Sequence, residues 1–182
     1  MSAAGPTGVV RRRLTGLGIA LLVFGLDRLI KLFVEKKLHL PHRQVIELVP
    51  FFDLRWAQNY GVSFSLLSAT SLEMRWLLVL LTLAISAGVL FWLLRETAMA
   101  EIGALGLVLG GALGNIHDRA YKGFVVDYAD LHFGQFRPFQ IFNLADAAIS
   151  IGVVIILARS FLSREKHEHQ TGGQSAQAPS ES

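Results

Sequence analysis

"WLLVLLTLAISAGVLFWLL", residues 76–94, runs for nineteen residues without a charged side chain. An α-helix rises about 1.5 Å per residue, so such a run reaches across the hydrocarbon of a bilayer, about 30 Å. Two runs of similar length follow it. "TAMAEIGALGLVLGGALGNI" (97–116) carries only Glu101, near its start, and "PFQIFNLADAAISIGVVIILA" (138–158) carries only Asp146. A fourth, "LTGLGIALLVFGLDRLIKLFV" (14–34), is apolar up to Leu26 and then meets Asp27, Arg28 and Lys31. The pattern predicts an all-α polytopic membrane protein. Its four transmembrane helices are expected over about 14–34, 76–94, 97–116 and 138–161, in one domain of residues 1–162.

Composition agrees. Of 182 residues 52% are hydrophobic, and the mean hydropathy is +0.46, high for a soluble chain. "RRR" (11–13) before an apolar stretch has the form of a signal peptide. The stretch runs on into Asp27 and "VEKK" with no small-x-small cleavage site, so an uncleaved helix is expected. Lys and Arg flanking the four runs nearly balance between the two sides. The cluster Arg11, Arg12 and Arg13 therefore decides the orientation, with both termini cytoplasmic and residues 35–75 and 117–137 facing outward. Residues 163–182 form a polar tail rich in Gly, Ser and Gln and are expected to be disordered.

Several chemistries lack their residues. There is no cysteine, and no HExxH, GxSxG, P-loop or GxGxxG motif. The histidines at 39, 42, 117, 132, 167 and 169 fall in loops, at the edge of a run or in the tail. None has metal-ligand spacing, so no metal or cofactor is expected. Ser63 and Ser65 lie in a loop without an evident base. The net charge of +3 comes from basic residues that mostly flank the apolar runs. That placement suits anchoring to membrane lipids and not binding to nucleic acid.

What remains is carboxylates and amides at helix ends. Asp27 and Lys31, four residues apart, share a face and can form an ion pair within the membrane. Gly106, Gly110 and Gly114 make a small-residue stripe, read as a packing surface for another helix. The stripe leads to Asn115, Asp118 and Arg119 at the outer edge, and "FNLAD" sets Asn143 and Asp146 on one face. Polar groups thus converge at the outward ends of three helices. Two carboxylates at close range hold one shared proton, so one can act as base on a water while the other donates to a carbonyl. The alternative is a proton- or ion-coupled transporter with a carboxylate relay, but the runs show no inverted repeat. The residues by themselves leave Asp127, Asp118 and Asp130 open as the partner of Asp146.

Five short motifs in order resemble lipoprotein signal peptidase (signal peptidase II), a family of bacterial inner-membrane aspartyl proteases. They are "DRLIK" (27–31), "NYGVSFS" (59–65), "GGALGNIHDR" (110–119), "GFVVDY" (123–128) and "FNLADAAI" (142–149), within residues 14 to 160. The resemblance implies four transmembrane helices with a small outward β-like cradle from the first extracytoplasmic loop, and a site near the outer face. It implies cleavage of diacylglyceryl-modified prolipoproteins just before the lipid-bearing cysteine. By motif position Asp127 and Asp146 would be the catalytic pair. Asp27, Asn59, Gly61, Asn115, Asp118, Arg119 and Asn143 would support the pair or hold substrate. Ser63 stands where the family usually has Ala, and Ile30 where a small hydroxyl residue is common. Neither change touches the pair.

Overall fold

A computed structural model of the chain describes residues 6–62, 67–68 and 72–174; Ser63 and Ser65 lie outside the described residues. Four long helices are present among the described residues, α1 (Pro6–Lys36), α3 (Leu72–Arg95), α4 (Met99–Lys122) and α5 (Leu144–Gln174). Between α1 and α3 lie the single turn α2 (Leu40–Arg43) and the strands β1 (Val45–Val49), β2 (Phe52–Asn59), β3 (Gly61–Val62) and β4 (Leu67–Ser68). Strand β5 (Val125–Leu131) separates α4 from α5. Among the described residues, three segments can cross a bilayer by length and apolarity: Leu72–Arg95, Met99–Lys122 and Leu144–Leu162, with mean hydropathies of 2.6, 1.5 and 1.9. Helix α1 is long enough, but charges bracket its apolar stretch on both sides, so that measure marks three spans and not four.

Helix α4 is central and packs on α1, α3 and α5. The glycine stripe explains its contact with α1. A Cβ on Gly106 would stand 2.6 Å from the Gly16 carbonyl oxygen, and one on Gly110 2.5 Å from that of Ala20. Only the absence of side chains lets the two backbones approach so closely. On the opposite side Gly111 abuts the Ala145 carbonyl, and Gly152 of α5 leaves room for that of Ala104. Buried Ala20, Leu93, Leu105 and Leu109 fill the centre of the bundle.

The sheet corrects the expectation of a cradle drawn from the first loop alone. Its antiparallel order is β1-β2-β5, so its third strand comes from the segment between α4 and α5. Gly123, at φ 87°, ends α4 in a left-handed cap and redirects the chain, while Arg75 binds the carbonyl oxygens of Arg119 and Ala120. The β-branched and aromatic residues of "VVDYADL" then pair with the free edge of β2, Ala57 opposite Asp127 and Gln58 opposite Val126. Six of the seven residues of β5 are buried. Val34, Leu40, Tyr128 and Ala129 form a second core that joins the end of α1 to the sheet.

The last helix also differs from its predicted range. Residues 138–143 are not helical; Pro138 opens the segment, and Phe142 exchanges hydrogen bonds with Ala129 at 2.8 and 3.0 Å. Helix α5 starts at Leu144 and continues to Gln174, since "SREKHEHQT" holds no breaker before Gly172. Asp146 consequently stands in the first turn of the helix, at its mouth.

Candidate active site

The start of α5 is where the polar residues meet. A helix leaves its first N–H groups without internal partners, and here every one of the first four is taken up by a side chain. Asn143 and Asp146 satisfy each other: the Asp146 N–H donates to Asn143 Oδ1 at 2.9 Å, and the Asn143 N–H to Asp146 Oδ2 at 3.2 Å. This is a capping box with Asp in the usual place of Glu. The Leu144 N–H donates to the Tyr128 hydroxyl, and the Ala145 N–H to Asp27 Oδ1, each at 3.2 Å. Strand β5 and helix α1 thereby fix the helix end that carries Asp146.

Asp127 and Asp146 are joined through carboxamides. Asn143 Nδ2 donates to Asp127 Oδ1 at 2.7 Å and to Asn115 Oδ1 at 3.3 Å. Asn115 Nδ2 in turn donates to Asp146 Oδ1 at 2.7 Å. Asn59 Nδ2, from the end of β2, reaches Asp127 Oδ2 at 3.2 Å, and Asn59 Oδ1 accepts the Gly61 N–H at 3.1 Å. Asp127 is only 3% exposed. Its burial, and then the neighbouring charge of Asp146, push its carboxyl up to about 7. Arg119 lies within electrostatic range of both acids and sets Nη2 3.5 Å from the Gly61 carbonyl.

Three other buried acids are held by cations. Asp118 pairs with Arg28 at 2.6 Å and with Lys31 at 2.9 Å; Asp27 pairs with Lys31 at 2.8 Å. Asp130 takes Arg55 at 2.8 Å and Arg137 at 3.2 Å. Among the described residues, Asp127 and Asp146 form no such ion pair. For Asp127, burial without a neutralising partner is what leaves the carboxyl able to keep or trade a proton near pH 7.

Two clefts adjoin the pair and share Phe139 and Gln140 in their walls. One, of about 600 Å³, runs beside Ala57, Asn59 and Asp127 under the strands. The other, about 300 Å³, passes Phe142 and Asp146 and descends α5 along Ala147 and Ile151. One cleft therefore reaches Asp127, and the second, almost wholly apolar, reaches Asp146.

Of the residues picked from sequence, Asn59, Gly61, Asn115, Arg119, Asp127, Asn143 and Asp146 come together at this point. Asp27 and Asp118 lie fully buried beneath them and touch backbone next to the acids. Tyr128 was not singled out from the sequence, although it follows Asp127 directly and braces Leu144. The Arg55–Asp130–Arg137 cluster was also not foreseen, because its members lie on three separate segments.

Residues 19–162 match the signal peptidase (SPase) II family. A lipoprotein signal peptidase of Rhizorhabdus wittichii is 50% identical over 150 residues, covering 82% of this chain and 87% of that protein. One from Pseudomonas aeruginosa strain PAO1 is 40% identical over 164 residues, covering 88% and 95%. The fold is similar to a solved bacterial membrane enzyme, with a TM-score of 0.72 at 25% identity over 84% of this chain and 90% of the other. A second solved bacterial membrane enzyme gives 0.67 at 26% identity, over 80% and 91%.

Proposed function

The chain belongs to the signal peptidase II family of proteases, and from that premise we propose that it is an aspartic endopeptidase acting on prolipoproteins in the bacterial inner membrane. It cuts the signal peptide just before the diacylglyceryl-modified cysteine. The observation that carries the aspartic reading is the difference in partners: Asp127 and Asp146 accept from neutral amides, whereas Asp27, Asp118 and Asp130 are bound by cations.

Asp127 holds the shared proton, in keeping with a carboxyl raised to about 7. Asp146 is its carboxylate partner, supported by the Asn115 amide and by the positive end of α5. A water between them loses a proton to Asp146 as its oxygen attacks the scissile carbonyl, and Asp127 donates to the carbonyl oxygen. Collapse of the tetrahedral intermediate breaks the C–N bond, the proton on Asp146 passes to the departing amine, and a hydroxyl of the intermediate returns its proton to Asp127 as the carbonyl re-forms. Asn59, Asn115 and Asn143 fix the acids, and Arg119 with the Gly61 carbonyl offers polar groups to the substrate backbone. The apolar groove along α5 suits a signal helix, and the groove by β2, with Gln58, Asn59 and Arg137 in its wall, the extended segment that follows it.

In this reading α1 is the fourth span. The termini lie in the cytoplasm, on the side of Arg11, Arg12 and Arg13, and the acids lie near the outer face. A proton relay would space its acids through the bilayer; here they gather at one end of the bundle. The test is incubation of purified protein with a diacylglyceryl-modified prolipoprotein and mass analysis of the products. Cleavage immediately before the modified cysteine is expected. Equal cleavage of the unmodified precursor at the same concentration, or no cleavage, would refute the proposal.

A further inference from the structure

Lys31 lies fully buried beneath the two acids and touches neither of them. Its ammonium instead bridges two other carboxylates, Asp27 Oδ2 at 2.8 Å and Asp118 Oδ2 at 2.9 Å. Each of these has a second task. Asp27 Oδ1 accepts the N–H of Ala145 at 3.2 Å, and Asp118 Oδ2 accepts the N–H of Val126 at 3.2 Å. Ala145 immediately precedes Asp146, and Val126 immediately precedes Asp127. One ammonium therefore ties together the two backbone points from which the acids project, one on a helix and one on a strand.

The geometry points to Lys31 as the positioning residue that sets the spacing of the catalytic pair, through Asp27 to α5 and through Asp118 to β5. The inference rests on the aspartic reading above. Without Lys31, two fully buried carboxylates would face each other. One would take up a proton or both would draw apart, and the amides of Ala145 and Val126 would move with them. Arg28 and Lys122, the remaining cations on Asp118, both pair through Oδ1, at 2.6 and 4.0 Å, and their side chains are partly exposed, so they do not replace the bridge through Oδ2 to Asp27. Gly114 marks how tightly the bridge is enclosed, since a Cβ there would stand 2.7 Å from Asp27 Oδ2.

The experiment uses the full chain in detergent with a diacylglyceryl-modified prolipoprotein. Lys31→Met removes the bridge; Lys31→Arg keeps the charge on a larger planar group that the enclosed site holds only by displacing the carboxylates. Each variant should lower kcat at least tenfold with KM within twofold. Amide exchange of peptides spanning residues 125–128 and 143–147 should quicken while that of α3 stays unchanged. In the unaltered protein the Val126 and Ala145 amides should exchange at least tenfold more slowly than those of the exposed 133–136 turn. Should Lys31→Met fail to fold, Lys31→Arg decides; should both fail, the exchange of the unaltered protein decides. Full kcat in Lys31→Arg would reduce Lys31 to charge balance and overturn the inference. So would uniformly faster exchange in either variant, or unprotected Val126 and Ala145 amides. Asp127→Asn and Asp146→Asn are assayed alongside. If they still cleave, the aspartic reading fails; if they are dead while Lys31→Arg is fully active, only the inference fails.

Discussion

Asp127 and Asp130 stand three residues apart on the same strand, and both are almost wholly buried, at 3% and 0% exposure. They behave in opposite ways. Burial and the charge of Asp146 push Asp127 up to about 7. Burial acts in the same direction on Asp130, but hydrogen bonds and charge from Arg55 and Arg137 outweigh it and hold that carboxyl below its ordinary value. Asp130 is thus a fixed anion that pins β2 and the 132–142 segment to β5. Asp127, among amides, remains a group that can pass a proton. Burial alone does not set how tightly a carboxyl holds its proton; the charge of its partners does.

The largest test of this contrast removes each acid in turn. Asp127→Asn and Asp146→Asn should each lower the initial cleavage rate by about a thousandfold or more, the scale of lost acid–base catalysis, with the protein still folded. Asp130→Asn should stay within about tenfold of the parent, because its partners Arg55 and Arg137 reach water and can be solvated there. Equal damage from Asp127→Asn and Asp130→Asn would erase the distinction.

Smaller in size is the response to pH. The rate should rise from acid, level off and then fall about tenfold per unit above pH 7 as Asp127 loses its proton. Asp130→Asn should leave that alkaline limb in place. A rate climbing steadily into alkali would rule out the shared-proton mechanism.

Stability gives a further comparison of opposite sign. Asp127 binds its proton more tightly folded than unfolded, so its contribution is full below about 3.8 and is lost as pH rises through about 7. Asp127→Asn should therefore raise the melting temperature in detergent relative to the parent above pH 7, by several degrees as an order of magnitude. Asp130 is depressed, so its contribution is present above the ordinary carboxylate value and fades as pH falls below it. Asp130→Asn should accordingly be destabilising at pH 7, by about 1–3 kcal/mol, and less so in acid. Melting curves at pH 4, 6 and 8 check both.

The smallest effect is expected at Asn59, whose amide is one of two donors to Asp127 and lies at the longer 3.2 Å. Asn59→Ala should slow cleavage about tenfold and move the alkaline limb upward, because a donor that favours the ionised form is removed. An unchanged limb would show that Asn59 does not bear on that proton.

Much of this was legible in the chain. Length and apolarity alone mark the runs at 76–94, 97–116 and 138–158 as segments for lipid, because backbone groups there have no water and must bond within a helix. The four-residue spacing of Gly106, Gly110 and Gly114 told of close packing before the partner helix was known. These are short-range signals, carried by neighbours in sequence. The sheet's third strand and the start of α5 at Leu144 were not legible, since pairing of β5 with β2 and of Phe142 with Ala129 joins segments distant in the chain or separated by a turn. What faces each aspartate belongs to tertiary structure for the same reason. Asp127 meets Asn59 from 68 residues away, and Asp27 meets Ala145 across 118. An aspartate's own letters and neighbours set its capacity to ionise; whether an amide or a guanidinium faces it is decided only when the chain has folded.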